Sequence, residues 1–191
     1  MQKLRLHGNQ KGFTLVEIAI VLVIIGLLIG GILKGQEMIQ NAKIKRVQKQ
    51  ADELRAAING YQDRYQQLPG DDTAPVVHTG VAGLTAGGGD GQISAAEAPD
   101  LFMHLAAANL ISGTYTTNAN SYPKNSFGGT THIEYQTYMG LITNWLVFTQ
   151  IPAEAARVID TSSDDGVFST GRVGGSAAYT NGTVVDLYIQ L

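Results

Sequence analysis

The feature that most constrains the fold is an apolar run of 21 residues from Phe13 to Leu33, in which Thr14 and Glu17 are the only polar side chains. At about 1.5 Å per residue, a helix of this length spans roughly 30 Å, the hydrocarbon thickness of a bilayer. The leader before it, residues 1–12, has three basic and no acidic side chains and is typical of the start of an export signal. The pattern predicts a membrane-spanning helix at the N-terminus.

Charge is distributed unevenly along the rest of the chain. Residues 34–64 carry seven basic and four acidic side chains, whereas residues 65–191 carry three basic and eleven acidic ones. Such an acidic segment is a poor surface for phosphate groups, so a nucleic acid is not expected as a partner. Basic residues flank the apolar run on both sides, and the positive-inside rule therefore leaves its orientation open.

Catalytic signatures are missing from the sequence. The chain has no cysteine, which excludes disulfides, thiol catalysis and cysteine-ligated metals. It also has no G-x-S-x-G, G-x-x-x-x-G-K or H-E-x-x-H motif. An enzyme activity, such as that of a membrane-anchored enzyme, has no support from the residues.

Glu17 argues against a plain signal anchor. A carboxylate inside a lipid-bound helix costs a few kcal/mol and requires a partner, unless it reaches the membrane interface. Its context, Lys11-Gly12-Phe13-Thr14-Leu15-Val16-Glu17 followed by the apolar run, resembles the class III signal of type IV prepilins and type II secretion pseudopilins over roughly residues 8–37.

The resemblance implies a processing and assembly site. In that family a prepilin peptidase cuts after the glycine, here Gly12, and methylates the new terminal amine, here that of Phe13. Glu17 would then face the terminal amine of a neighbouring subunit as the helix leaves the membrane for a filament. The two opposite charges would compensate each other's loss of hydration.

The resemblance also implies an α+β, type IV pilin-like fold, in which a long N-terminal helix packs on a small antiparallel sheet. We expect a cleaved leader at residues 1–12, the helix at 13–67 and a globular head at 68–191. The protein would be a structural subunit and not an enzyme, anchored in the inner membrane as a precursor. An inner-membrane assembly platform would polymerise it with copies of itself or other pilins.

Three candidate functions remain open at this point. The long polar stretches at 73–91 and 113–131 favour a subunit of an extracellular pilus over a periplasmic pseudopilin of a type II secretion system. A signal-anchored binding domain that does not polymerise is the third, and it would keep its leader.

Beyond the apolar run, apolar residues recur in steps of three and four, which predicts that the helix continues with one buried stripe. Packing against the chain's own head is preferred over a freestanding coiled coil. The stripe consists of Ile44, Val47, Ala51, Leu54, Ile58, Tyr61, Tyr65 and Leu68.

The head contains recognisable elements in a sequence rich in glycine and threonine. Alternating apolar residues at its end predict a half-buried strand, and the apolar segment before Pro152 is dense enough for one or two strands. The expected elements are a loop at 73–91, a helix at 101–111 with Pro99 in its first turn, a surface excursion at 113–131, strands within 133–148 with a helix at 139–149 as the alternative, a helical turn from Pro152 to Ile159, and a strand with Val185, Leu187, Ile189 and Leu191 on one face.

Two acidic loops are candidate calcium sites, although no cofactor is required. Asp90 to Glu97 matches the second half of an EF-hand loop, while its first half lacks the acidic ligands. Asp71 or Asp72 could supply the missing oxygens only if the loop folds back. A helix capping box formed by Ser94 and Glu97 is the alternative explanation. In the second loop, Asp160, Asp164 and Asp165 place three carboxylates within six residues, which suits a hard cation or a solvated turn.

Overall fold

The computed structural model describes residues 12–191 and contains four α-helices and four strands within that range. The chain divides into two compact units between Asn41 and Ala42. The helices are α1 (Leu15–Tyr65), α2 (Pro75–Thr79), α3 (Ala98–Ala107) and α4 (Ala153–Ser163), and the strands are β1 (Thr131–Tyr138), β2 (Leu141–Pro152), β3 (Val173–Gly175) and β4 (Val184–Gln190).

The first unit contains the apolar part of α1. Every side chain from Gly12 to Lys34 is exposed, including large apolar ones such as Ile20 and Leu27. Within residues 12–191, this is the one helix that is long and apolar enough to cross a membrane, with a mean hydropathy of 2.9 over an 18-residue window. An apolar surface of this extent requires lipid or other protein chains to cover it.

In the second unit, the predicted stripe of α1 is buried against the chain's own head. Val47 and Tyr61 are completely buried and Ile58 is 1% exposed, while Tyr65 and Leu68 pack at the edge of the same core. A freestanding coiled coil is therefore wrong for this part of the helix. The α+β fold with a long helix on a small antiparallel sheet is confirmed.

The sheet has four strands in the order β1-β2-β4-β3, and all neighbours are antiparallel. The core that includes the stripe of α1 also contains apolar residues of the sheet, namely Ile133, Leu146, Phe148, Leu187 and Ile189. The segment 133–148, predicted to hold one or two strands, contributes to two, β1 and β2, and the predicted final strand is confirmed as β4.

The alternative of a helix across 139–149 is wrong. Met139 and Gly140 both adopt positive φ, at 51° and 76°, and form the two-residue turn between β1 and β2. Such a turn matches the twist of paired strands and commits the following apolar residues to β2.

Several element boundaries differ from the sequence prediction. The helix α1 ends at Tyr65 and not at Gln67, because Gln66 takes the left-handed conformation. The predicted loop at 73–91 contains the five-residue helix α2. The helix α3 runs from Ala98 to Ala107 and not from 101 to 111, with Pro99 in its first turn as expected, and the chain reverses at Asn109 with φ 58°. The excursion at 113–131 includes a 3-10 turn at Ala119–Ser121.

Candidate processing and assembly site

The predicted cleavage site lies just before the start of α1. Gly12 and Phe13 precede the first helical residue, Leu15, and the side chain of Phe13 is 83% exposed. A non-helical, exposed segment is the form in which a peptide can enter a protease. The basic leader residues Lys3, Arg5 and Lys11 lie outside the described residues.

Glu17 is held at the first turn of α1 by Thr14. Its carboxylate Oε2 accepts hydrogen bonds from the Thr14 backbone N–H and from the Thr14 hydroxyl, both at 2.8 Å. In return, the Glu17 N–H donates to Thr14 Oγ1 at 3.2 Å. This reciprocal pair is a helix capping box.

Sequence reasoning missed this role of Thr14, which was read only as a polar interruption. The signal was available, since Thr14-Leu15-Val16-Glu17 has the T-x-x-E spacing of a capping box before an apolar run. The box holds the Glu17 carboxylate against the backbone N–H of Thr14, at the N-terminal end of the helix. Thr14 directly follows Phe13, the residue whose amine would be created by cleavage.

The four glycines in the first part of α1 lie within the continuous helix and away from the rest of the chain. Gly26, Gly30, Gly31 and Gly35 lie inside the continuous helix, and a Cβ added at any of them would meet no atom within 4 Å. Small residues spaced by four leave a shallow strip on which another helix can approach closely.

The first candidate calcium loop has its acidic side chains engaged in local hydrogen bonds. Glu97 accepts from the N–H of Gly88 at 2.8 Å and from the N–H and hydroxyl of Ser94 at 2.9 and 2.7 Å. Burial alone would raise the pKa of Glu97, but these bonds outweigh it and hold the pKa below its usual value of 4.5. Asp90 Oδ1 accepts from the Gln92 N–H at 2.9 Å.

The loop closes on the carboxylate of Asp71. Asp71 is 3% exposed, and its carboxylate accepts backbone N–H groups from Gly89, Asp90 and Gly91. Three amide donors therefore satisfy this buried carboxylate.

The second candidate loop brings its three predicted residues together. Asp160, Asp164 and Asp165 place carboxylate oxygens within 4.8 Å of one another. Among residues 12–191, no other group of three or more potential metal ligands has this spacing. Burial raises the pKa of Asp160, and the charges of Asp164 and Asp165 add to that increase. These residues fit a hard cation in type and spacing.

Protein donors also contact each carboxylate of this cluster. Asp160 accepts from Gly166 N–H at 3.0 Å and from the Tyr179 hydroxyl at 2.7 Å. Asp165 accepts from Val167 N–H and the Thr170 hydroxyl, and Asp164 accepts from the backbone N–H groups that follow Gly171. The calcium ligands predicted in both loops stay predictions.

Comparison with known protein families gives a match at the N-terminal end of the chain. The family model described as the prokaryotic N-terminal methylation motif matches residues 7–33, which include Gly12, Phe13, Glu17 and the whole apolar run. Comparison with curated proteins and with solved structures gives no match. The predicted resemblance to the class III signal of type IV prepilins is confirmed for this segment.

The motif indicates the general kind of protein. It supports a type IV pilin-like or pseudopilin protein, a class of structural and not enzymatic proteins. It implies processing by a prepilin peptidase, assembly with other pilins and a membrane-anchored precursor.

Proposed function

We propose, on the premise of this prepilin signal, that the protein is a structural subunit of a type IV pilus-like filament that polymerises through the first part of α1. The observation that carries the proposal is the methylation motif at the start of a helix whose residues from Leu15 to Lys34 are all exposed. The helical stretch has an apolar surface to cover, first with lipid and then with helices of other subunits.

Processing prepares this helix for polymerisation. Cleavage between Gly12 and Phe13 removes the basic leader and creates a terminal amine next to the capping box. Methylation of the Phe13 nitrogen keeps its positive charge. The Glu17 carboxylate then offers a negative charge at nearly the same depth in the membrane, so that a neighbouring subunit's amine compensates the cost of burying it.

Capping and assembly make different demands on Glu17, and they can be separated. Capping requires both Thr14 and Glu17, because the hydrogen bonds of the box are reciprocal. Pairing with a neighbouring amine requires only the carboxylate. A loss of Thr14 therefore costs a helix cap but leaves the charge that we propose for assembly.

An extracellular pilus subunit is the proposed role, supported by the exposed segment at 116–120 and the 3-10 turn at Ala119–Ser121. A periplasmic pseudopilin of a type II secretion system has the same signal and is the second candidate. A signal-anchored binding domain is the third, and it predicts an uncut chain that starts at Met1.

The experiment compares three variants of the full chain in its native host. Glu17→Ala is expected to be cut and methylated normally but to be depleted from filaments sheared off the cells. Thr14→Ala is expected to retain filaments, because it keeps the carboxylate. Glu37→Ala serves as the matched control, since Glu37 is an exposed acid of the same helix that pairs only with Lys34.

Two results would contradict the proposal. Normal filament yield from Glu17→Ala would remove the assembly role of the carboxylate. Equal losses in Thr14→Ala and Glu17→Ala would assign Glu17 to helix capping alone.

A further inference from the structure

One buried imidazole joins α3 to the part of the chain that follows α1. The His104 side chain is completely buried, and its Nδ1 accepts the backbone N–H of Gly70 at 2.9 Å. Its Nε2 lies 2.9 Å from the backbone carbonyl oxygen of Thr85. Gly70 and Thr85 are the ends of a stretch that contains α2, residues 70–85, which we name the α2 segment. A single side chain of α3 therefore binds both ends of this segment.

These two contacts define the protonation state of His104. The Gly70 N–H is a donor, so the Nδ1 atom that accepts it carries no proton. The Thr85 carbonyl oxygen can only accept, so Nε2 carries the proton and donates it. The imidazole is therefore neutral. A second proton can bind only at Nδ1, where it would face the Gly70 N–H and replace a hydrogen bond by a contact between two donors.

Titratable groups from three parts of the head surround this imidazole. Tyr61 of α1 stacks on it, with 6.2 Å between the ring centroids. The carboxylates of Asp72, in the α2 segment, and of Asp100, in α3, act on it through their charges. Burial lowers the pKa of His104 below its usual value of 6.5 and outweighs the Thr85 contact and both carboxylates, which would raise it. The closed arrangement thus disfavours the charged imidazole.

We infer that His104 is an acid-sensitive latch, which holds the α2 segment on α3 while the imidazole is neutral and releases the segment when the imidazole binds a proton. The inference goes beyond the proposed function, because it concerns the head and requires no polymerisation. Release would uncover apolar surface of α3, since a Cβ added to Gly70 would lie only 3.2 Å from Leu101 Cβ. The released segment would carry α2, in which Val77 is 81% exposed.

Mild acid acts on this latch without breaking the neighbouring carboxylate contacts. Burial would raise the pKa values of Asp72 and Glu97, but hydrogen bonds outweigh it and hold these pKa values below 3.8 and 4.5. Both groups therefore stay ionised between pH 6.5 and pH 4.5. A proton on His78 would strengthen its 2.8 Å contact with Asp72 and so oppose release. Release in this range is therefore attributed to His104.

The size of the effect follows from linkage between proton binding and opening. A histidine whose pKa is lower in the closed than in the open state stabilises the closed state fully above its open-state pKa and progressively less below it. The open population should therefore rise by up to about tenfold per pH unit as the pH falls below 6.5. The intrinsic exchange of an exposed amide slows by a similar factor over the same range, so the two effects oppose each other at Gly70.

The test is amide hydrogen exchange of the detergent-solubilised full chain between about pH 7 and about pH 5. We expect the exchange rate of the Gly70 N–H to stay nearly constant. The Thr183 N–H, in the turn with Thr180, opens without His104 and should slow steadily on acidification. The amides of β2 should exchange more slowly than Gly70 throughout, and the fluorescence of the buried Trp145 should not change, because the head stays folded.

Two variants assign the effect to one histidine. His104→Asn offers an oxygen near the Nδ1 position but cannot bind a proton in this range, so its Gly70 exchange should slow in parallel with that of Thr183. His78→Gln is the matched control, because His78 belongs to the same segment and contacts Asp72 instead of α3. It should behave like the original chain.

A second measurement uses the original chain alone. With ¹⁵N-labelled histidine, the nitrogen chemical shifts of His104 should show the Nε2–H tautomer at about pH 7, and its titration should coincide with the loss of protection at Gly70. An Nδ1–H tautomer would overturn the inference. Gly70 exchange that slows in parallel with Thr183 in the original chain, equal exchange rates at Gly70 and in β2, or loss of the effect in His78→Gln would overturn it as well. Filament yield does not enter this test, so its outcome leaves the proposed function unaffected.

Discussion

A buried carboxylate holds the end of α1 to the segment that follows it. Asp72 is completely buried, and its Oδ2 accepts the Tyr61 hydroxyl at 2.5 Å and lies 2.8 Å from His78 Nδ1. Its Oδ1 accepts the Ala74 N–H at 2.8 Å. We predict that Tyr61→Phe, which removes one donor and little volume, destabilises the head measurably.

The magnitude follows from the type of bond. A hydrogen bond to a charged group contributes about 1.5–3 kcal/mol, and the lost donor leaves a buried carboxylate less satisfied. A domain of this size loses about 2–4 °C in the unfolding midpoint per kcal/mol. The expected decrease at pH 7 is therefore about 3–12 °C.

The assay is thermal unfolding of the detergent-solubilised full chain, followed by the fluorescence of Trp145. This is the one tryptophan of the chain and is completely buried in β2, so its signal reports on the head and not on the apolar part of α1.

The pH dependence has a defined sign. Burial would raise the pKa of Asp72, but hydrogen bonds from Tyr61, His78 and Ala74 outweigh it and hold the pKa below its usual value of 3.8. A carboxyl whose pKa is lower in the folded than in the unfolded state stabilises the fold at pH values above its unfolded pKa. This stabilisation is lost as the pH falls through its folded pKa. The difference between the original chain and Tyr61→Phe should therefore be constant near neutral pH and shrink below about pH 3.8.

Tyr65→Phe is the matched control, because Tyr65 contacts Tyr61 edge-on and its hydroxyl has no hydrogen-bond partner among residues 12–191. It should change the midpoint by less than Tyr61→Phe does. Equal midpoints for Tyr61→Phe and the original chain at pH 7, or a difference that grows on acidification, would refute the reasoning.

Three further predictions use the same fluorescence assay. Ile58→Ala truncates the buried stripe and should cost about 2–5 kcal/mol, whereas Ile29→Ala, at an exposed position of the same helix, should leave the head's midpoint unchanged. Gly129→Ala should destabilise the head strongly, because its Cβ would collide with the Thr149 carbonyl oxygen; an unchanged midpoint would contradict that geometry. The raised pKa of Asp160 means that its stability contribution falls as the pH rises, so Asp160→Asn should not lower the midpoint at pH 7 without calcium. Added calcium should raise the midpoint of the original chain only, and an equal rise in Asp160→Asn would exclude Asp160 as a ligand.

The sequence was most informative where one local rule acted alone. Steps of three and four placed Val47 and Ile58 on the buried side of α1, and alternation placed Leu187 and Ile189 on the inner face of β4. The apolar segment at 139–149 fitted either a helix or a strand, and the left-handed turn at Met139 decided between them. Side-chain periodicity alone does not reveal such a turn.

The candidate sites were less predictable, because their contacts join distant parts of the chain. The N–H groups captured by Asp71 lie 18 to 20 residues away, and Tyr179 reaches Asp160 across 19 residues. One groove of the head is lined both by α1 residues between positions 46 and 57 and by residues between positions 110 and 124. The three acidic residues at 160–165 predicted a cluster of carboxylates, which the structure shows. No local pattern predicted the hydrogen-bond donors that surround these carboxylates.

Intact mass spectrometry of the protein from sheared surface filaments and from membranes tests the central claim most directly. The account predicts a species in the sheared fraction that begins at Phe13, lacks the first 12 residues and carries one added methyl group. An unprocessed chain that begins at Met1, in cells with an active prepilin peptidase, would contradict the account and leave a signal-anchored domain.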